Sequence, residues 1–74
     1  MTRQEAINLI LSQIKNKAQS YKFDSVIIKP IKDANTNELS GYYITSDFSA
    51  KHKDYTSNYS VKMICDNDGS IFKL

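Results

Sequence analysis

The sequence predicts an α+β fold, with one N-terminal helix packed on one face of a three- to four-stranded antiparallel sheet in the order α-β-β-β-β. Three features point there. A capped run at the start repeats apolar residues at three- and four-residue steps. After Tyr21 the apolar period drops to two, and an Asp-Asn-Asp-Gly turn separates the last two apolar runs. At 74 residues the chain has room for one compact domain spanning 1–74, since folding at this size removes only roughly 60% of the extended chain's surface from water.

Each element has its own warrant. Thr2-Arg3-Gln4-Glu5 is a capping box, in which the Thr2 hydroxyl accepts from the Glu5 backbone N–H and the Glu5 carboxylate reaches back. Ile7, Ile10, Leu11, Ile14, Ala18 and Tyr21 then fall within one stripe narrower than half a helix circumference. Lys15 and Lys17 suit the negative end of a helix dipole. This spacing predicts a helix over 3–19.

Residues 23–32 are rich in β-branched side chains and too short for a second helix before Pro30. Phe23, Ile27 and Ile31 share one parity, while Val26 and Ile28 take the other. Pro30 lacks an N–H, which puts this strand at an edge. A polar turn over 33–38 leads to a second strand, 39–48, with Tyr42, Ile44, Ser46 and Phe48 on one side and Tyr43, Thr45 and Asp47 on the other. After a loop over 49–56, the third strand, 57–65, sets Tyr59, Val61, Met63 and Cys65 against Ser60, Lys62 and Ile64. Gly69 suits a positive φ after a type I turn, and 70–74 returns as the fourth strand.

Composition excludes several classes. Apolar residues at 41% and charged residues at 24% are ordinary globular usage. No apolar run approaches the ~20 residues of a membrane span, and MTRQEAINLI lacks a signal peptide's apolar stretch, so a cytoplasmic protein without a membrane partner is expected. A net charge of +2 is too small to imply nucleic acid by itself. Cys65 and His52, single in kind, cannot close a structural zinc site or an internal disulfide within one chain.

Motifs for chemistry are incomplete. The 66–71 segment matches the glycine and apolar positions of an EF-hand loop. Ile64 stands where its first ligand belongs, and no glutamate follows at the last, so a plain hairpin turn is expected. His52, flanked by Lys51 and Lys53, reads as a solvated loop histidine without an orienting carboxylate. Cys65 lies on the apolar parity of its strand and reads as a small buried hydrophobe. No catalytic residue, metal or cofactor is expected, and the chain is read as a non-enzyme.

The five tyrosines and three phenylalanines exceed the needs of a small core. If Tyr42, Ile44, Phe48, Tyr59, Val61, Met63 and Phe72 face the helix, Tyr43, Ile64 and Ile71 lie opposite with Thr45, Lys62 and Lys73. Such a face suits a protein partner or stacked bases. Leu9 falls about 200° from Ile7 around the helix, where it is either an exposed leucine without a role or a contact for a partner or a second subunit. Leu9, Tyr43, Thr45, Lys62, Ile64 and Lys73 are therefore the expected partner-binding residues. The expected role is a small accessory, inhibitor or immunity-type protein acting by protein contact, with a second copy of itself among the candidate partners. Its Lys-, Asn-, Ile- and Ser-rich usage fits an AT-rich bacterial or phage genome. The alternative is a single-stranded nucleic-acid binder using the open Tyr/Lys face.

The stretch from Tyr59 to Leu74, YSVKMICDNDGSIFKL, resembles the closing hairpin of PepSY-type domains. Those domains also place a helix before antiparallel strands and end in an acidic-glycine turn. The resemblance covers about a fifth of the chain. It implies the same helix-then-sheet order and an extracytoplasmic, protease-associated role, which the absence of an export signal in this sequence opposes.

Overall fold

The computed structural model describes residues 1–74. Helix α1 (Arg3–Ser12) precedes strands β1 (Ser20–Lys32), β2 (Leu39–Lys51), β3 (Thr56–Asp66) and β4 (Ile71–Lys73). The strands form an open antiparallel sheet in the order β1-β2-β3-β4, giving the α+β class and element order expected. Strands of 13 residues run ~44 Å at about 3.4 Å per residue, whereas a helix of 10 residues spans only ~15 Å. The molecule is accordingly elongated, 51 × 20 × 20 Å, and its helix is too short to cover the sheet's length. No helix is long and apolar enough to cross a membrane.

The capping box forms: Glu5 N–H donates to Thr2 Oγ1 at 3.1 Å, and Thr2 N–H donates to Glu5 Oε1 at 2.8 Å. These bonds hold the Glu5 carboxyl below its ordinary range. The helix stops at Ser12 instead of continuing to residue 19. Ser12 Oγ donates to the Leu9 carbonyl at 2.6 Å and the Lys17 ammonium donates to the Leu11 carbonyl at 2.8 Å, satisfying acceptors that further helical N–H groups would have used. Beyond it, Ala18 N–H donates to the Tyr21 hydroxyl at 2.9 Å and Gln19 N–H to the Lys51 carbonyl at 2.8 Å. The first is local and the second tertiary, and together they override a modest helix propensity.

Shortening the helix moves its buried stripe. Ala6 and Ile10 become its centre, because Ile14, Ala18 and Tyr21 no longer belong to it. Leu9 and Leu11 each lie about 100° from Ile10, and both are half-buried at the margins. The core consists of Ala6, Ile10, Ile44, Phe48 and Met63, with Leu9 and Cys65 among the half-buried residues packed on it.

β1 lies at an edge, as Pro30 requires. Its mixed parity has a cause. A bulge between Phe23 and Ser25 leaves Asp24 without a partner, so that Phe23 faces the helix opposite Phe48 while Val26 and Ile28 also face it, opposite Ser46 and Ile44. Ser46 is the one polar residue in the middle of this buried row, and its hydroxyl donates to the Ser25 carbonyl beside the bulge at 2.7 Å.

The β2–β3 hairpin is longer than predicted, because pairing continues to Lys51 and Thr56 and the tip closes with His52 N–H on the Tyr55 carbonyl at 2.8 Å. His52 is therefore buried, not solvated. Its ring stacks on Tyr55 with centroids 4.4 Å apart, and its Nε2 has no hydrogen-bond partner. At the other end, Gly69 adopts φ 89° and Asp66 N–H donates to the Ser70 carbonyl at 2.8 Å. Residues 67–69 thus form a three-residue hairpin loop closed by Asp66 and Ser70, with its glycine in the left-handed region. Asp68 accepts from Ser70 N–H, which lowers its pKa.

That turn packs against β2 through Asn67, whose side-chain amide donates to the Leu39 carbonyl and whose backbone N–H donates to the Ser40 carbonyl. Gly41 permits the approach. A Cβ there would collide with the Cys65 carbonyl oxygen and sit 3.2 Å from Asp66 Cα. Gly41→Ala is expected to cost ~1–3 kcal/mol, the usual range for overpacking, measured by urea denaturation. A loss under ~0.5 kcal/mol, typical of a surface change, would show that the strands separate there without cost.

Candidate functional site

The face of the sheet away from the helix carries the candidate surface. In-register pairing places Lys29, Tyr43, Ile64 and Phe72 in one row across all four strands. The next row is Ile27, Thr45 and Lys62, followed by Ser25, Asp47 and Ser60. On the other side of the first row lie Ile31, Gly41 and Asp66. Alternation along each strand keeps these residues on one face. Phe72 and Ile27 are 52% and 50% exposed, while Tyr43, Ile31 and Ile64 are half-buried by their neighbours.

Four of the expected contact residues come together here. Tyr43 sits opposite Ile64, and Thr45 opposite Lys62. Two do not join them. Lys73 pairs with Met63 and so belongs to the helix-covered face. Leu9 packs on the core and is not a free contact. The three-residue turn explains the first correction: it pairs Cys65 with Ile71 and Ile64 with Phe72, so Phe72 takes the open face and Ile71 the core side, opposite to the expected assignment. The shortened helix explains the second.

Ile27, Lys29 and Phe72 are the members that the sequence pattern did not reveal. Turn length was the available signal for Phe72, since a loop of three residues sets the register of the returning strand. No comparable signal marked the bulge that fixes the outlook of Ile27 and Lys29, apart from apolar residues on both parities of one strand.

Exposed lysines 29 and 62 flank Tyr43, and Asp47 is the acidic group in the middle of the face. Asp47 is held locally, with Ser25 Oγ donating to its Oδ2 at 3.5 Å and its own N–H donating to Ser25 Oγ at 3.3 Å. No group of three or more His, Cys, Asp or Glu side chains is placed to hold a metal ion. What this arrangement offers chemically is a contact surface: an apolar and aromatic centre, two exposed cations and one carboxylate bonded to Ser25. Comparison with protein-family models, curated proteins and solved structures found no match to the chain.

Proposed function

We propose that the protein is a non-catalytic cytoplasmic binding module that occupies the surface of a partner protein with the open face of its sheet. The observation that carries this reading is the Tyr43–Ile64–Phe72 row with Ile27 beside it. Aromatic and aliphatic side chains held on a rigid sheet lose little freedom when covered, and protein interfaces favour them at their centres. The partner is a protein whose apolar patch carries acidic groups at its rim, to meet Lys29 and Lys62.

The rival reading is a single-stranded nucleic acid stacked on Tyr43 and Phe72, with the same two lysines on phosphates. Asp47 within the face and Asp66 at its end oppose a phosphate backbone. Fluorescence anisotropy with labelled single-stranded RNA and DNA at ~150 mM salt is expected to show no binding tighter than ~100 μM, the weak end of non-specific association. Low-micromolar affinity that falls with Tyr43→Ala by ~1–3 kcal/mol, the worth of a lost base stack, would transfer the face to nucleic acid. In the same preparation, nuclease-resistant capture of a protein should disappear with Ile64→Asp if the face makes the contact.

A further inference from the structure

The two long strands beside the sheet's outer edges are treated differently. β1 is blunted along its length. The Arg3 guanidinium donates to the Phe23 carbonyl at 3.5 Å, the Asp24 bulge interrupts the edge, and Pro30 has no N–H to offer. Proteins guard edges in these ways against unwanted strand pairing. β3 pairs without a bulge and carries no proline, its edge bearing only the Lys62 cation. β4 pairs only with Met63, Ile64 and Cys65, so β3 is uncovered from Thr56 onward until Leu74 N–H reaches the Lys62 carbonyl at 3.0 Å. That bond shows which way the strand's peptide groups point. Lys62 turns outward, so by alternation Ser60 and Asn58 also turn their N–H and C=O groups away from β2. Both residues are exposed.

Alongside this edge, on the helix side, runs a groove of about 360 Å³. Ile10, Phe48, Val61 and Met63 line it with Ile14 and Tyr59. Lys15, Lys62 and Lys73 also line it, and no aspartate or glutamate does. A free main-chain edge selects an extended strand, an apolar groove beside it selects alternate apolar side chains, and three lysines with no acidic side chain among them select negative charge. We infer that the β3 edge takes an extended, acidic segment of a partner protein by strand addition, in line with β4, with every second side chain entering the groove. A second copy of this chain is the wrong occupant, because pairing two such edges would bring two lysine-rimmed grooves together. This surface lies on the helix side and at the β3 edge, sharing only Lys62 and Ser60 with the open face, and the inference does not depend on what the open face binds.

The test uses the full chain and labelled peptides with blocked ends: EVEVEVE, its basic counterpart KVKVKVK, and the all-polar ESESESE. EVEVEVE should bind saturably, slow amide exchange at Asn58 and Ser60, and exceed both other peptides in affinity by about tenfold, or ~1.4 kcal/mol. Ser60→Pro removes an outward N–H that no neighbouring strand uses, and should weaken binding about tenfold, whereas Ser60→Thr should not. A far-UV circular dichroism spectrum and a thermal melt show that each variant is folded. Should Ser60→Pro not fold, Ile14→Glu places a carboxylate against the acidic peptide and should weaken it instead. Ile64→Asp, on the open face, should leave peptide binding unchanged, which separates this inference from the proposed function. Absence of saturable EVEVEVE binding at ~1 mM would overturn the inference. Equal affinity for KVKVKVK would do so too, as would concentration-dependent dimerisation protecting Asn58 and Ser60 without peptide.

Discussion

Phe48→Ala is expected to lower stability by ~3–5 kcal/mol, the range for emptying an aromatic site in a packed core. Phe48 is 2% exposed and sits at the middle of a cross-strand aromatic row. Its ring lies 4.7 Å from Phe23 and 5.0 Å from Tyr59 in stacked geometry, with Tyr21 tilted at 6.4 Å. Truncation therefore removes both the buried area and aromatic contacts worth ~0.5–1.5 kcal/mol each beyond area. For a chain of 74 residues, ordinary stability of ~0.05–0.15 kcal/mol per residue amounts to roughly 4–11 kcal/mol. One substitution thus removes a large fraction of the total. Urea denaturation followed by circular dichroism measures the loss. Should the alanine variant fail to fold, Phe48→Leu keeps part of the volume and should show an intermediate midpoint. A loss under ~1 kcal/mol for Phe48→Ala would mean that the aromatic row is not the core, since surface changes cost that little.

The sequence revealed most where one local rule acted alone. Thr2 and Glu5 announced their capping box, and both bonds form. β2 and β3 alternate cleanly and pair without a bulge, so Ile44, Phe48 and Met63 on one face and Tyr43, Thr45, Lys62 and Ile64 on the other could be read directly. Pro30 marked its strand as an edge because a missing N–H is a local chemical fact.

Misreadings arose where tertiary structure decides. Residues 13–19 carry nothing that stops a helix as glycine or proline would. The stop comes from the Lys51 carbonyl, which reaches Gln19 only once the sheet forms, together with the Tyr21 hydroxyl three residues beyond Ala18. Asp24 gives no sign of being a bulge, so the outlook of Ile27 and Lys29 was hidden. His52 looked solvated because Lys51 and Lys53 flank it. In the folded hairpin those neighbours are exposed while the imidazole lies against Tyr55. Lys73 was lost from the open face by a shift of one residue in register, enough to reverse every side chain of so short a strand.

Ile10→Ala and Ile14→Ala together test the end of the helix. A helix running to residue 19 would bury both side chains on one stripe and make the two losses similar. The structure makes them unequal. Ile10 is 1% exposed among Ala6, Ile44, Phe48 and Met63, so its truncation should cost ~2–5 kcal/mol. Ile14 lies beyond the last helical turn, half-buried at the wall of the β3-edge groove, and less of its apolar area leaves water on folding. Since the hydrophobic contribution scales with buried area, Ile14→Ala should cost about 1 kcal/mol, the centre of ordinary mutational losses. Parallel urea titrations of the two variants measure the difference. Equal losses above ~2 kcal/mol would place Ile14 in the core and return the longer helix. A small loss at Ile10 with a large one at Ile14 would mean that the helix is rotated on the sheet, with its buried stripe centred elsewhere than on Ala6 and Ile10.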